Sequence, residues 1–485
     1  VSQELALPLG LGAISVRLLL LALAAALLAA GWVVSPALVL TGVAGIALTA
    51  AILRRPLVAF IALAFSVPWT SGTSLPLGGS VASPTEVVVA ALTVVWLATC
   101  VAERVHPWRG IPWTGFIGLF LLAILLSASQ AADIQASVRE LLKWIELGVV
   151  FLAATRLLRT RQEIAWTAGA LVLGGVSQAV LGLAQLALSH GPAAFAAERA
   201  FLRAYGSFDQ PNPYAGYLNM ILPLALALTV CSSGRTRTRY GVAALLIGLA
   251  LLASQSRGAL LAGVIALSIV LAVQFVRFRA ALWLAALIGL VTAWGMTLGV
   301  TVSPVQRVLD SIGFTGVDFG HVTNANFSAV ERVAHWLAGV RMFASHPLLG
   351  VGIGNFSTAY PQFHPRGWYA PLGHAHNYYI NVAAEAGVAG LVAYVLLTGS
   401  ALWYSCAATC RARDSLVRAI GLGVVGALIA TSLHNVFDVL YVHGTTALIG
   451  LLMGLLVAVY RLPSRLQPAG EIASHEDHGS TRTDS

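Results

Sequence analysis

Twelve histidines and a few isolated arginines carry most of the chemical potential of this chain. His364, His374 and His376 crowd one stretch, with His335 and His346 shortly before it. A neutral imidazole, with an unperturbed pKa near 6.5, can accept a proton at neutral pH, so His376 suits general-base work. It could equally cap a helix or sit at an interface. His374-x-His376 also has a metal-ligand look, but no carboxylate-rich or Cys-rich constellation accompanies it, and no metal or other cofactor is expected. Arg257 lies in Ser254-Gln255-Ser256-Arg257-Gly258, a short polar link between two apolar runs. A guanidinium there can snorkel to lipid phosphate or hold an anionic substrate group.

The elements that must position these residues are membrane helices. Of the 485 residues, 58% are apolar and 10% charged, far from the balance of a soluble domain. Apolar runs of spanning length recur throughout, with no period-two alternation, so a β-barrel, a disordered chain and a soluble enzyme with one anchor are all excluded. The fold class is all-α: a polytopic transmembrane bundle of about 12–14 spans, predicted near residues 16–34, 36–52, 56–69, 84–102, 111–128, 141–157, 164–188, 212–230, 240–253, 259–275, 280–301, 376–404, 417–433 and 444–460. The short runs 56–69 and 240–253 read as full, re-entrant or broken helices.

The net charge of +9 would suggest nucleic acid in a soluble domain. Here the basic residues fall at alternate span ends, from Arg54 and Arg55 through Arg156, Arg159 and Arg161 to Arg411, Arg413 and Arg461, which marks a cytoplasmic face and makes the bilayer, not nucleic acid, the partner. Both termini are then expected on the cytoplasmic side of an inner (plasma) membrane, and no cleaved signal peptide is expected. Cys100, Cys231, Cys406 and Cys410 lie near cytoplasmic ends, so no disulfide is implied.

The expected organisation is an N-terminal bundle over 1–301, a large extracytoplasmic catalytic loop over 302–375, C-terminal helices over 376–462 and a disordered cytoplasmic tail over 463–485. Ser328-x-x-Glu331 reads as a capping box opening an amphipathic helix over 329–344, with Val333, Trp336, Leu337, Val340, Met342 and Phe343 as its apolar positions. Gly350-Val351-Gly352-Ile353-Gly354-Asn355 permits close backbone approach, to a ligand or over a neighbouring helix. Glu331 is expected as the capping partner rather than a catalytic group, and Glu385 as a buried polar pair too deep to touch His376. Asp209, Asp318 and Asp438 are equally placed to orient His376.

His376-Asn377, nine residues, then Gly387-Val388-Ala389-Gly390, after a long outside loop, resembles the His-Asn-x9-Gly-x-x-Gly signature of O-antigen ligases and related lipid-linked polysaccharide polymerases. The turn from Gly206 to Asn212, Ser256-Arg257-Gly258, Arg332-x-x-x-Trp336 and Pro347-Leu348-Leu349-Gly350-Val351-Gly352 match in order, and His434-Asn435-Val436-Phe437-Asp438 follows. Where the ligase signature continues with Thr, this chain has Leu391. The resemblance implies an inverting, metal-independent glycosyltransferase of the cell envelope. It would move a glycan from an undecaprenyl-diphosphate carrier to a lipid A-core sugar of lipopolysaccharide, or to another repeat unit in a polymerase. It also implies His376 as base and Arg257, Arg332, Asn212 and Asn377 on substrate; a pyrophosphate leaving group suits forked arginine donors. The rival class, a transporter or flippase, should show related halves and midplane ionisable groups, and no such repeat is visible.

Overall fold

The computed structural model describes residues 36–69, 75–77, 80–195, 202–275, 319, 322 and 327–462. The predicted spans 16–34 and 280–301, the tail 463–485, Asp318 and most of 302–326 lie outside the described residues. Within them the chain is a helical bundle: α1 (Pro36–Arg54), α2 (Leu57–Trp69), a hairpin of β1 (Leu75–Leu77) and β2 (Ser80–Ala82), then α3 (Pro84–Ala102), α4 (Thr114–Ser127), α5 (Ile134–Leu157), α6 (Arg161–Leu188), α7 (Pro211–Cys231), α8 (Gly234–Ala253) and α9 (Arg257–Gln274). After these come α10 (Phe327–Ser345), α11 (Phe356–Phe363), α12 (Tyr378–Arg411), α13 (Ser415–His434) and α14 (Thr445–Tyr460). Among the described residues, seven helices are long and apolar enough to cross a membrane: α3, α6, α7, α8, α9, α12 and α13. The protein is a polytopic helical membrane protein.

The span edges shift where charged residues sit inside helices. α8 is one unbroken helix that starts at Gly234, ahead of the expected 240, because Arg235, Arg237 and Arg239 are exposed and helical, a placement that long basic side chains tolerate at a membrane edge. α5 likewise begins at Ile134 and carries Arg139, Glu140 and Lys143 before its apolar run.

α7 packs most extensively against α13, and α14 against α5. Lipid-soluble helices gain little from apolar burial against each other, so close backbone approach carries the packing. Gly450 and Gly454 provide it on α14: a Cβ at 450 would stand 2.4 Å from the Leu147 carbonyl oxygen of α5. One end of the bundle gathers cations, where Arg159 pairs with Glu103, Arg161 with Asp414, and Arg156 reaches the His106 carbonyl. The other end carries the polar turns.

Two glutamines of α6, seven residues apart and so on one face, hold the first of these turns. Gln185 donates to the Gly206 carbonyl at 2.7 Å and accepts from its N–H at 2.8 Å, and Gln178 accepts from Ser207 N–H at 3.0 Å. These bonds fix where α7 begins.

The largest departure from expectation is in α12. It is broken at Gly387, whose φ of 63° and ψ of −163° are not helical, and the segment 347–352 lies across the break. Val351 N–H donates to Ala384 O at 2.9 Å and Gly352 N–H to Glu385 O at 3.0 Å; in return Val388 N–H donates to Pro347 O at 2.8 Å and Ala389 N–H to Leu348 O at 3.4 Å. The backbone groups that the break frees are thus satisfied inside protein, as low-dielectric surroundings demand. Gly350 (φ 70°) must be glycine here, since a Cβ would lie 2.2 Å from the Glu385 carbonyl carbon. Glu385 also differs from its expected pairing with another polar helix: its Oε1 accepts from Phe356 N–H at 2.9 Å, so it anchors the start of α11. The glycine run folds over a neighbouring helix.

α10 matches its expected range, but it begins at Phe327, so Ser328 lies within its first turn. Its buried residues include Val330, Ala334, His335, Ala338 and Met342, while Val340 is half exposed. Small residues face inward because α10 rests closely on the start of α12; together with Phe356 and Tyr360 of α11 and Ala375 they make a second, smaller core.

Candidate active site

His376 sits on the last residue but one before α12, in the left-handed region (φ 52°). A β-carbon-bearing residue held there costs free energy, which the surrounding contacts must offset. Asn377 follows as the helix N-cap, its side-chain oxygen accepting from Ile380 N–H at 3.0 Å. Asn381, one turn on, accepts from Ala375 N–H at 3.0 Å. Trp336 of α10 donates to the His376 carbonyl at 3.3 Å. These contacts over-determine the His376 backbone.

The imidazole meets a carboxylate from the loop between α13 and α14. His376 Nδ1 is 3.4 Å from Asp438 Oδ1, and both side chains are largely buried. Neither ring nitrogen makes a hydrogen bond within the protein, so Asp438 faces Nδ1 as a nearby charge. Nδ1 facing an anion favours the tautomer with its proton there, leaving the Nε2 lone pair available. The Asp438 loop is itself pinned: Asn435 O accepts from Tyr378 N–H at 2.7 Å, Asn435 Oδ1 from Leu440 N–H at 3.0 Å, and Lys143 Nζ donates to Tyr441 O at 2.8 Å. The two His-Asn pairs, 376–377 and 434–435, therefore sit side by side.

Burial would by itself raise the Asp438 carboxyl, but His376, His374 and His434 around it outweigh that and hold it well below the usual carboxylate range. His374 is pushed down to about 4, by burial first and by His376 beside it. Its Nδ1 accepts the His376 N–H at 3.1 Å, which requires that nitrogen to be unprotonated. His335 crosses His376 edge to face, with ring centres 5.7 Å apart, and burial lowers it too. Glu331 is half-buried, raised by burial and lowered by His376 and Arg332. Thus Glu331 faces the histidine cluster electrostatically.

Of the residues marked from the sequence, Arg332 and His376 both act on Glu331, and Arg332 also acts on His434. Arg257 is exposed at the first position of α9, after Ser256 as N-cap. Gly258 packs on Phe437, where a Cβ would be 3.0 Å from the Phe437 Cβ; Phe437 adjoins Asp438, so α9 begins beside the histidine cluster. Asn212 is in the first turn of α7, and its oxygen accepts from Arg203 Nη2 at 3.0 Å, while Arg203 Nε donates to Ser254 O at 2.8 Å. Arg203, which spacing gave no reason to single out, ties Asn212 to the link that carries Arg257. Asp209 acts instead on His443.

Ligand atoms of His374, His376 and Asp438 lie within 4.8 Å of one another, close enough to hold a cation. The same three residues can serve as an imidazole oriented by a carboxylate and braced by a second imidazole. Only the second of these forms leaves the imidazole able to accept a proton.

Residues 242–395 match the family model described as O-Antigen ligase, a stretch from α8 into α12 that contains Arg257, Arg332, His374, His376 and Asn377 but not Asn212 or Asp438. No curated protein matches the chain. Through residues 242–395, this membrane protein is similar to the O-antigen ligase family.

Proposed function

We propose that the chain is an inverting glycosyltransferase that moves a glycan from an undecaprenyl-diphosphate carrier to an acceptor hydroxyl on the extracytoplasmic side of the inner membrane, with both termini cytoplasmic. The observation that carries this reading is the 3.4 Å approach of His376 Nδ1 to Asp438 Oδ1. His376 Nε2 takes the proton as the acceptor oxygen attacks the anomeric carbon. The bond from that carbon to the diphosphate oxygen breaks, and the bonding pair leaves with the diphosphate. Arg257 and Arg332 meet the charge that develops there, through forked donors that a lysine lacks. Asp438 stabilises the imidazolium formed.

Attack from the face opposite the leaving group inverts the anomeric carbon. Asn377 supports this chemistry as the cap that fixes His376, and Asn212 through its bond to Arg203. Lipid A-core is the acceptor in a ligase, and a second lipid-linked repeat unit in a polymerase of the same superfamily; Leu391, in place of the ligase threonine, favours the polymerase.

Purified protein given an undecaprenyl-diphosphate-linked glycan and each acceptor in turn tests the proposal. One acceptor should be extended with release of undecaprenyl diphosphate. Transfer to neither, by protein that is folded and monodisperse, would overturn it. In a deletion strain, unligated polymer left on the carrier marks a ligase, and single capped repeat units mark a polymerase.

A further inference from the structure

A threonine inside a helix commonly turns its hydroxyl back to the carbonyl one turn earlier. Thr155, Thr229, Thr398 and Thr409 each do so here, at 2.9, 2.8, 2.9 and 2.7 Å. Thr431 of α13 does not: it is 3% exposed, and its Oγ1 makes no hydrogen bond within the protein. It lines a cavity of about 20 Å³ where α5, α12, α13 and α14 meet.

Two phenols reach the same cavity. Tyr394 and Tyr441 are buried, and their hydroxyl oxygens lie 2.7 Å apart. The pair holds two protons, and the bond between them uses one. Asn435 Nδ2 approaches Tyr394 at 3.4 Å as a further donor, not as an acceptor. Whichever phenol donates to the other, the second phenol proton therefore meets no acceptor among the described residues, and the Thr431 proton is in the same position. Two buried donors that share one cavity and lack acceptors pay the desolvation cost in full.

A cavity needs roughly 10–15 Å³ to admit one water, which then requires two to four polar partners. We propose that this cavity is a binding site for a single water molecule, whose oxygen accepts from the remaining phenol proton and from Thr431. Its own protons have the hydroxyl oxygens of Thr398 and Ser432, which line the cavity, as acceptors. An anion would suit the donors but not the surroundings, because no lining residue carries a charge. The water completes the support of the loop that holds Asp438. Asn435, which bonds to Tyr394, also accepts from Leu440 N–H through Oδ1 and from Tyr378 N–H through its carbonyl. The inference stands on packing alone and holds whatever reaction the chain performs.

The test is the sign of a stability change in full-length protein in nanodiscs. Valine has the shape of threonine without the hydroxyl. Were Thr431 simply unpaired, Thr431→Val would remove a buried orphan and raise the melting temperature. With the water in place it removes a hydrogen bond, and the melting temperature should fall by about 1–2 °C. A cryo-EM map that shows ordered water elsewhere in the bundle should show a peak within hydrogen-bond distance of Thr431 Oγ1 and one of the two phenols, lost in Thr431→Val. A rise or no change in melting temperature, or a wild-type map with buried waters elsewhere and none here, would overturn the proposal. So would a fall on replacing chloride by gluconate that Thr431→Val does not share, since the occupant would then be an anion.

Discussion

Asp438 Oδ1 lies 3.4 Å from His376 Nδ1, and the two residues come from opposite ends of the sequence motif order: one just before α12, the other just after α13. The pair forms because Tyr378 N–H bonds to the Asn435 carbonyl, which locks the start of one helix to the end of the other. A base oriented in this way depends on its carboxylate for both tautomer and aim.

That dependence is measurable. His376→Ala should lower the rate of transfer by ~10²–10⁴-fold, the usual worth of a positioned base, while donor binding persists. Asp438→Asn should cost a comparable factor, and the double variant should be little worse than His376→Ala, since residues acting as a unit are non-additive. Additive losses would mean that Asp438 serves the fold and not the base.

Arg257→Lys and Arg332→Lys keep charge and lose the two-donor fork. Each should weaken binding of the diphosphate donor about tenfold, with the variant still inserted at wild-type level. Binding of undecaprenyl diphosphate followed by isothermal calorimetry reads this directly. Unchanged affinity in Arg332→Lys would move the diphosphate away from α10.

The crossing of 347–352 over the α12 break makes two glycines irreplaceable. Gly350→Ala adds a Cβ 2.2 Å from Glu385 backbone at φ 70°, and Gly387→Ala adds one 2.3 Å from Leu348 backbone at φ 63°. Each should lower thermal stability by more than the ~1–3 kcal/mol of backbone strain alone. Gly367→Ala is the control: its φ is 84° but no atom lies within 4 Å, so its loss should stay near ~1–2 kcal/mol. Equal melting temperatures for Gly350→Ala and Gly367→Ala would say that the crossing is loose.

Helix positions were legible from hydropathy because the bilayer requires long apolar runs, and α3, α9 and α13 fall within a few residues of expectation. The starts of α5 and α8 were not, since charged residues in a helix lower hydropathy without ending it. The α10 face was misread for a different reason: Val340 is large and apolar yet half exposed, whereas Ala334 and Ala338 are buried, because the neighbour is too close for bulk. Neither the α12 break nor the choice of Asp438 over Asp209 follows from local pattern. Both arise from segments meeting in space, and only the second His-Asn pair at 434–435 hinted at the meeting.

His374 makes stability depend on pH. In the folded protein it stays neutral down to about 4, against 6.5 for the ordinary side chain. Its contribution is therefore intact above pH 6.5 and is lost as pH falls toward 4, where the unfolded chain takes up a proton that the folded one refuses. The melting temperature should drop across that window, and His374→Asn should flatten the drop. A His374→Asn protein with the same pH slope would place the titration elsewhere.

The last prediction concerns cations. The 3.4 Å between His376 Nδ1 and Asp438 Oδ1 suits a long charge-assisted contact, and it also suits two ligands on one tetrahedral ion, with His374 as a third. The two differ in what the imidazole can do. A His376 bound to metal through Nδ1 carries its proton on Nε2 and cannot accept another, and the charge on the departing diphosphate would then be met by the ion and not by arginine. His374 already uses Nδ1 to accept the His376 N–H, which leaves only Nε2 for any ion. Transfer by purified protein should therefore survive prolonged dialysis against a strong chelator, with elemental analysis showing less than stoichiometric zinc throughout. Loss of transfer on chelation, restored by one equivalent of zinc and not by magnesium, would reassign His374, His376 and Asp438 as ligands and remove the general base from the mechanism.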